Sequence, residues 1–157
     1  MLFFAILEAV LCLTASVSIV LYDLRRHLIT NFSLFCFGLS VLALKVSESL
    51  LRQDNFLGVI LAGSSALILF LVIYWVSGKS MGLGDVKLAV VLAFLVNPGS
   101  IRMFFLWISM IWIFGGMHGL ASAFRHRTIR RKIAFAPALF VGTFTYLAMG
   151  IWSSLPQ

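Results

Sequence analysis

Apolar residues along this chain fall into six runs separated by short polar stretches. The first, Leu2 to Tyr22, contains one charged residue, Glu8, and is followed by Arg25 and Arg26. The second goes from Phe32 to about Val46 and is closed by the polar stretch Ser47 to Asn55. A third, Phe56 to about Val76, leads into a Gly- and Ser-rich loop, SGKSMGLGD. The fourth is short, Val86 to Val96, and meets Asn97-Pro98-Gly99, a strong helix breaker. The fifth, Ile101 to Phe124, ends in the basic loop RHRTIRRK, and the sixth covers about Ile133 to Ile151. A helix rising ~1.5 Å per residue needs about 20 residues to cross ~30 Å of hydrocarbon, so the pattern predicts an all-α integral membrane protein, a six-helix transmembrane bundle. The positive charge follows the first run instead of preceding it, which predicts a retained helix and not a secretory signal.

Composition excludes the soluble class. The 157 residues are 62% apolar and 11% charged, against roughly 45–50% and about 25% in soluble domains. Six spans consume the chain, so one transmembrane domain, residues 1–157, is expected, with no separate folded domain. Cys12 and Cys36 lie inside apolar runs and form no CxxC, which argues against a disulfide framework and a zinc site. The net charge of +7 becomes an orientation once it is divided by loop. Arg25, Arg26, Lys79, Lys87, Arg125, Arg127, Arg130, Arg131 and Lys132 fall on one side, against Lys45, Arg52 and Arg102 on the other. Nine against three puts the first side in the cytosol and both termini outside. No nucleic acid is implied; the basic loop is expected to anchor to anionic lipid.

The five acids carry most of the information. Glu48 and Asp54 are expected to be solvated in an outer loop. Glu8 is intramembrane and needs a partner; counting helical rise from the cytosolic ends of the first two spans brings it to the depth of Lys45, predicting a structural ion pair. Asp23 and Asp85 both fall at cytosolic helix ends. Two carboxylates that converge cannot both ionise easily, so one keeps a proton, as in aspartic proteases. Taken singly, each has a plainer reading: Asp23 as a helix end beside two arginines, Asp85 as an N-cap. The glycines of Gly82-Leu83-Gly84 favour the functional one, because they let a backbone or an extended substrate approach closely. The short fourth helix, ~21 Å long, further predicts local thinning of the bilayer, with Asp85 in a water-reaching cavity.

The segment Asp23-Leu24-Arg25-Arg26-His27-Leu28-Ile29-Thr30-Asn31 resembles the D-x-R-x-x-x-I-P-N segment of type IV prepilin peptidases. Gly82-Leu83-Gly84-Asp85-Val86-Lys87-Leu88 is similar to their G-x-G-D-x-K-L segment, and Phe135-Ala136-Pro137-Ala138-Leu139 to a stretch of their last helix. Thr30 stands where the family has proline and Ala136 where it has glycine. A second resemblance, of Tyr22-Asp23, Gly82-Leu83-Gly84-Asp85 and Pro137-Ala138-Leu139, is to presenilin-like intramembrane proteases, which are larger.

The first resemblance implies a membrane aspartic endopeptidase that removes a short basic leader from prepilin-like or pseudopilin proteins at the cytosolic face of the bacterial inner membrane. Asp23 and Asp85 would be catalytic, with Gly82, Gly84, Arg25, Asn31 and Lys87 supporting or binding substrate, and no metal or cofactor. The zinc-binding, methylating part found in many members is not expected, and the short form resembles the peptidases of tight-adherence pili. Asn31 is either the N-cap of the second helix or an amide that orients Asp23. Lys87 either holds a substrate carboxylate or snorkels to headgroups. Pro137 is expected to kink the sixth helix. Gly115, Gly116 and Gly119 would form a packing face on the fifth, and His118 a packing contact. The competing class is a proton-linked transporter or a non-enzymatic assembly subunit using the same aspartates.

Overall fold

A computed structural model describes residues 2–26, 29–52, 56–78, 81–126 and 135–153. They form α1 (Leu2–Arg26), α2 (Asn31–Arg52), α3 (Leu57–Val76), α4 (Leu83–Val96), α5 (Ile101–His126) and α6 (Ala136–Ser153), with no strand among the described residues. Helices α1, α2, α3 and α5 are long and apolar enough to cross a membrane, whereas α4 and α6 have 14 and 18 residues. The protein is therefore an all-α, multi-pass membrane protein.

Local chemistry sets the helix ends. Asn97 takes the left-handed conformation (φ 38°) and its N–H closes α4 on the Ala93 carbonyl at 3.0 Å, a C-cap that Pro98 then makes final. Ser100 starts α5: its hydroxyl accepts from the Met103 N–H (3.3 Å) and its carbonyl from the Phe104 N–H (3.0 Å). Helix α2 runs past its expected end near Val46, through the polar residues to Arg52. Those residues are helix-compatible, since the Ser47 hydroxyl donates to the Ala43 carbonyl (2.8 Å) and Glu48 pairs with Lys45 one turn earlier (3.0 Å). Glu48 is thus a half-buried helical residue and not a solvated loop acid, while Asp54 lies outside the described residues.

Helix α4 packs on α3, α2 and α6. Eight of its 14 residues are buried, whereas the four long helices bury only 17–28% of their apolar windows. Because α4 is short but packed against three other helices, its length need not match the hydrocarbon and does not by itself require a thinned bilayer. At the α5–α6 crossing a Cβ on Gly142 would lie 2.7 Å from the Ile111 Cα, so only glycine allows that approach. One position on, the Trp107 indole N–H donates to the Thr143 hydroxyl (3.0 Å), both side chains being fully buried. Gly115 lies against Phe135 and Ala138 of the same seam, while Gly116 faces open space and takes no part in the expected packing face.

The predicted intramembrane ion pair is present. The Lys45 ammonium on α2 contacts the Glu8 carboxylate on α1, both buried, and it also donates to Glu48.

Candidate active site

Asp23 is the last buried residue among the described side chains of α1 and is 4% exposed. Its Oδ2 accepts the Ala136 backbone N–H at 3.3 Å. Ala136 is the first residue of α6, where the leading amides have no partner within the helix and their summed dipoles favour negative charge. The Phe135 carbonyl already serves as helix start, accepting from Ala138 (3.1 Å) and Leu139 (3.2 Å). Pro137 therefore lies in the first turn, where a missing N–H is harmless, and it does not kink the helix body.

Asp85 occupies the third position of α4. Gly82, extended at φ −74° and ψ 141°, precedes the helix, and its carbonyl accepts from the Asp85 N–H (3.1 Å). In return the Gly82 N–H donates to Asp85 Oδ2 (3.3 Å), so the carboxylate reaches back over the helix start and is not the N-cap itself. Asp85 precedes the apolar run of α4. Burial and the Asp23 charge beside it push its carboxyl up from 3.8 to about 7, with the Gly82 N–H bond acting in the opposite direction. The two carboxylates are thus close enough to repel, each at the N-terminus of a different helix. One proton shared between them at neutral pH is the arrangement in which a carboxylate can take a proton from water while its neighbour donates one.

Residues 9–120, well over half of the chain and including both aspartates, match the type IV leader peptidase family. The chain belongs to that family. It is a protease of the leader-peptidase type, a conclusion that rests on this match. Comparison with curated proteins and with solved structures gave no significant match.

Around the two acids this leader peptidase uses its remaining motif residues in ways the sequence had indicated only in part. Gly84 is in close contact with its own chain: a Cβ there would lie 3.1 Å from the Ile29 Cβ, so the glycine seats the α1–α2 connection on α4. The close neighbour of Gly82 is the Asp85 carboxylate, 3.1 Å from where a Cβ would stand. Lys87 donates to Asn31 Oδ1 at 3.2 Å, which ties the first turn of α2 to the second turn of α4. Asn31 is not the N-cap of α2. Thr30 is, accepting from the Leu34 N–H through its carbonyl (3.1 Å), with its hydroxyl donating to Ser33 (2.7 Å). At the position where the family pattern has proline, the turn is thus linked by a hydrogen bond. The Arg25 side chain and the basic loop beyond His126 lie outside the described residues. Among the described residues no three His, Cys, Asp or Glu side chains gather as metal ligands.

The component that motif reading missed is the N-terminus of α6. Phe135-Ala136-Pro137 is a start signal, because proline favours the first helical turn. Placing the start at Ile133 hid it, since that put Pro137 inside the helix.

Proposed function

We propose that this leader peptidase is an aspartic endopeptidase whose catalytic pair is Asp23 and Asp85, and that it removes the short basic leader of prepilin-like or pseudopilin substrates. The observation that carries the reading is the pair itself: a buried carboxylate held by the α6 amide beside a second carboxyl that burial and the neighbouring charge keep protonated to about neutral pH. Asp23, receiving an N–H at a helix N-terminus, suits the base; Asp85 suits the acid.

In this mechanism Asp23 takes a proton from water as the water oxygen adds to the scissile carbonyl carbon, and Asp85 gives its proton to the carbonyl oxygen. The tetrahedral intermediate then collapses. Its C–N bond breaks, the leaving amine takes the proton held on Asp23, and the hydroxyl proton returns to Asp85. Gly82 and Gly84 hold the start of α4 against Asp85 and Ile29, Lys87 and Asn31 brace the two motif segments, and Arg25 extends the first motif. The excess of basic residues on the Asp23 side supports a site at the cytosolic face of a bacterial inner membrane with both termini outside. The substrate's apolar helix would lie in lipid beside the bundle, its cleavage point emerging at the membrane boundary.

Co-expression with a type IV prepilin tests the reading. Asp23→Asn and Asp85→Asn should each abolish leader removal while the protein persists in the membrane. Normal processing in either variant would refute the aspartic mechanism.

A further inference from the structure

Among the described residues α1 buries only Glu8, Cys12, Ile19 and Asp23, a single stripe spaced by four, seven and four residues with a carboxylate at each end. Phe4, Leu11, Ala15 and Val20 are only partly buried against the same core. A cavity of about 410 Å³ opens between α1 and α6, bordered by Ser16, Val20 and Phe140 among others. Another of about 330 Å³ opens between α1 and α2, bordered by Ala15, Ser18 and Cys36 among others. The hydroxyls of Thr14, Ser16 and Ser18 donate to carbonyls of their own helix at 2.7–3.0 Å. On the outer face, Phe3, Ile6, Val10, Leu13, Val17 and Leu21 are exposed, and an apolar row meeting lipid tails has no preferred depth. The apolar contacts of Cys12, Ile19 and their partly buried neighbours are non-directional and define the depth of the helix only weakly.

Sliding of α1 would remove Asp23 from its site. One residue of register is ~1.5 Å along the axis and about 100° around it. The contact that resists it is at the far end of the stripe, where Glu8 (8% exposed) meets Lys45 (4% exposed), itself held by Glu48 one turn on. A displacement that breaks this contact leaves uncompensated charge in an apolar environment, a far larger penalty than the loss of a few dispersion contacts. Fixing register is the best attested use of a buried ion pair.

We propose that the Glu8–Lys45–Glu48 cluster is a positioning element for Asp23, holding α1 at the depth at which its last buried carboxylate meets the Ala136 amide. The consequence for cleavage rests on the reading of Asp23 as catalytic; the consequence for the Ala136 contact does not.

The test is the full chain in nanodiscs, comparing wild type with Glu8→Leu/Lys45→Leu and with the reversed cluster Glu8→Lys/Lys45→Glu/Glu48→Lys. The readouts are membrane abundance, hydrogen exchange at the Ala136 amide, and leader removal from a type IV prepilin. The leucine pair removes the two buried charges together; Glu48 loses its Lys45 contact but is only half-buried near the end of α2, so the variant should accumulate as wild type does. Exchange at Ala136 should accelerate about tenfold or more while exchange near Thr143 stays unchanged. Leader removal should fall by about 100-fold, as for a reacting group displaced by roughly 1 Å. The reversed cluster should restore both. Unchanged exchange at Ala136 in the leucine pair overturns the proposal, as does loss of that variant from the membrane or loosening of the whole of α6, which would make the cluster a general folding requirement. If the leucine pair responds at Ala136 as described while the wild type cleaves no prepilin, the reading of the substrate and of Asp23 as catalytic fails and the positioning role stands.

Discussion

The Ala136 amide donates to the Asp23 carboxylate across 3.3 Å, joining two residues 113 positions apart. It brings the end of α1, which carries the first motif, to the start of α6, which lies beyond the stretch matched to the leader peptidase family. The third helix terminus at the site is thus supplied by a segment whose sequence likeness was weakest.

Removing that one N–H should impair the enzyme without unfolding α6. Proline is tolerated at the first helical position, so Ala136→Pro deletes the donor and keeps the helix start. A hydrogen bond to a charged group contributes roughly 1.5–3 kcal/mol, which predicts a loss of about 10- to 100-fold in the rate of leader removal. Ala136→Gly keeps the N–H and serves as the control; its rate should stay within a few-fold of wild type. Equal losses in the two variants would mean that the methyl group matters and the amide does not.

The raised Asp85 carboxyl makes both activity and stability depend on pH, with a definite sign. Because its folded value of about 7 lies above the ordinary 3.8, the folded protein holds a proton there that the unfolded chain has lost between those values. This contribution to stability is fully present below about pH 4 and declines as pH rises through 7. With Asp85 as the proposed acid, the rate should show the same alkaline limb, falling above about pH 7. Asp23→Asn removes the repelling charge but not the burial, so the midpoint of the stability change should move to lower pH. Thermal unfolding against pH in detergent, for wild type, Asp23→Asn and Asp85→Asn, checks this. An unshifted midpoint in Asp23→Asn would show that the two groups do not interact.

Most of the fold was legible because the signal for a spanning helix is length and apolarity, properties carried by every residue of a run. The breaker at Asn97-Pro98-Gly99 and the Glu8–Lys45 pair were legible for equally local reasons, a conformational preference and a count of helical rise. Position in the bundle was not. The covering of α4 by its neighbours depends on how six similar apolar surfaces choose one another, and nothing in Val86 to Val96 distinguishes a helix facing protein from one facing lipid. For the same reason both aspartates could be singled out, while the amide that holds Asp23 and the Ile29 contact at Gly84 could not, since backbone groups and aliphatic side chains leave no motif.

Lys87 and Asn31 form a brace whose effect should be small. Both residues are exposed and their bond is 3.2 Å long, so its net contribution is that of an ordinary surface interaction, about 0.5–1.5 kcal/mol at most. Lys87→Met should slow leader removal about two- to tenfold, and Asn31→Asp, which offers the ammonium a carboxylate, should preserve the brace. A complete loss of activity in Lys87→Met at normal abundance would instead point to direct contact with the substrate.

Gly84 offers the sharpest test of how the two motif segments meet. A methyl added there would stand 3.1 Å from the Ile29 Cβ, tighter than ordinary carbon–carbon contact and directed at the branched carbon, the part of isoleucine least able to move. Gly84→Ala should therefore push the α1–α2 connection off α4, lengthen the separation of Asp23 from Asp85 and reduce leader removal, with Gly84→Val worse. The strain is shared by two residues, so their effects should not add. Ile29→Ala alone removes contact and costs a little; combined with Gly84→Ala it frees the space the new methyl needs, and the double variant should cleave faster than Gly84→Ala alone. If the glycine instead serves to admit an extended substrate, trimming Ile29 would bring no recovery, and the double variant would be at least as slow as Gly84→Ala. Measuring initial rates of leader removal for the four proteins at matched membrane levels separates the two roles.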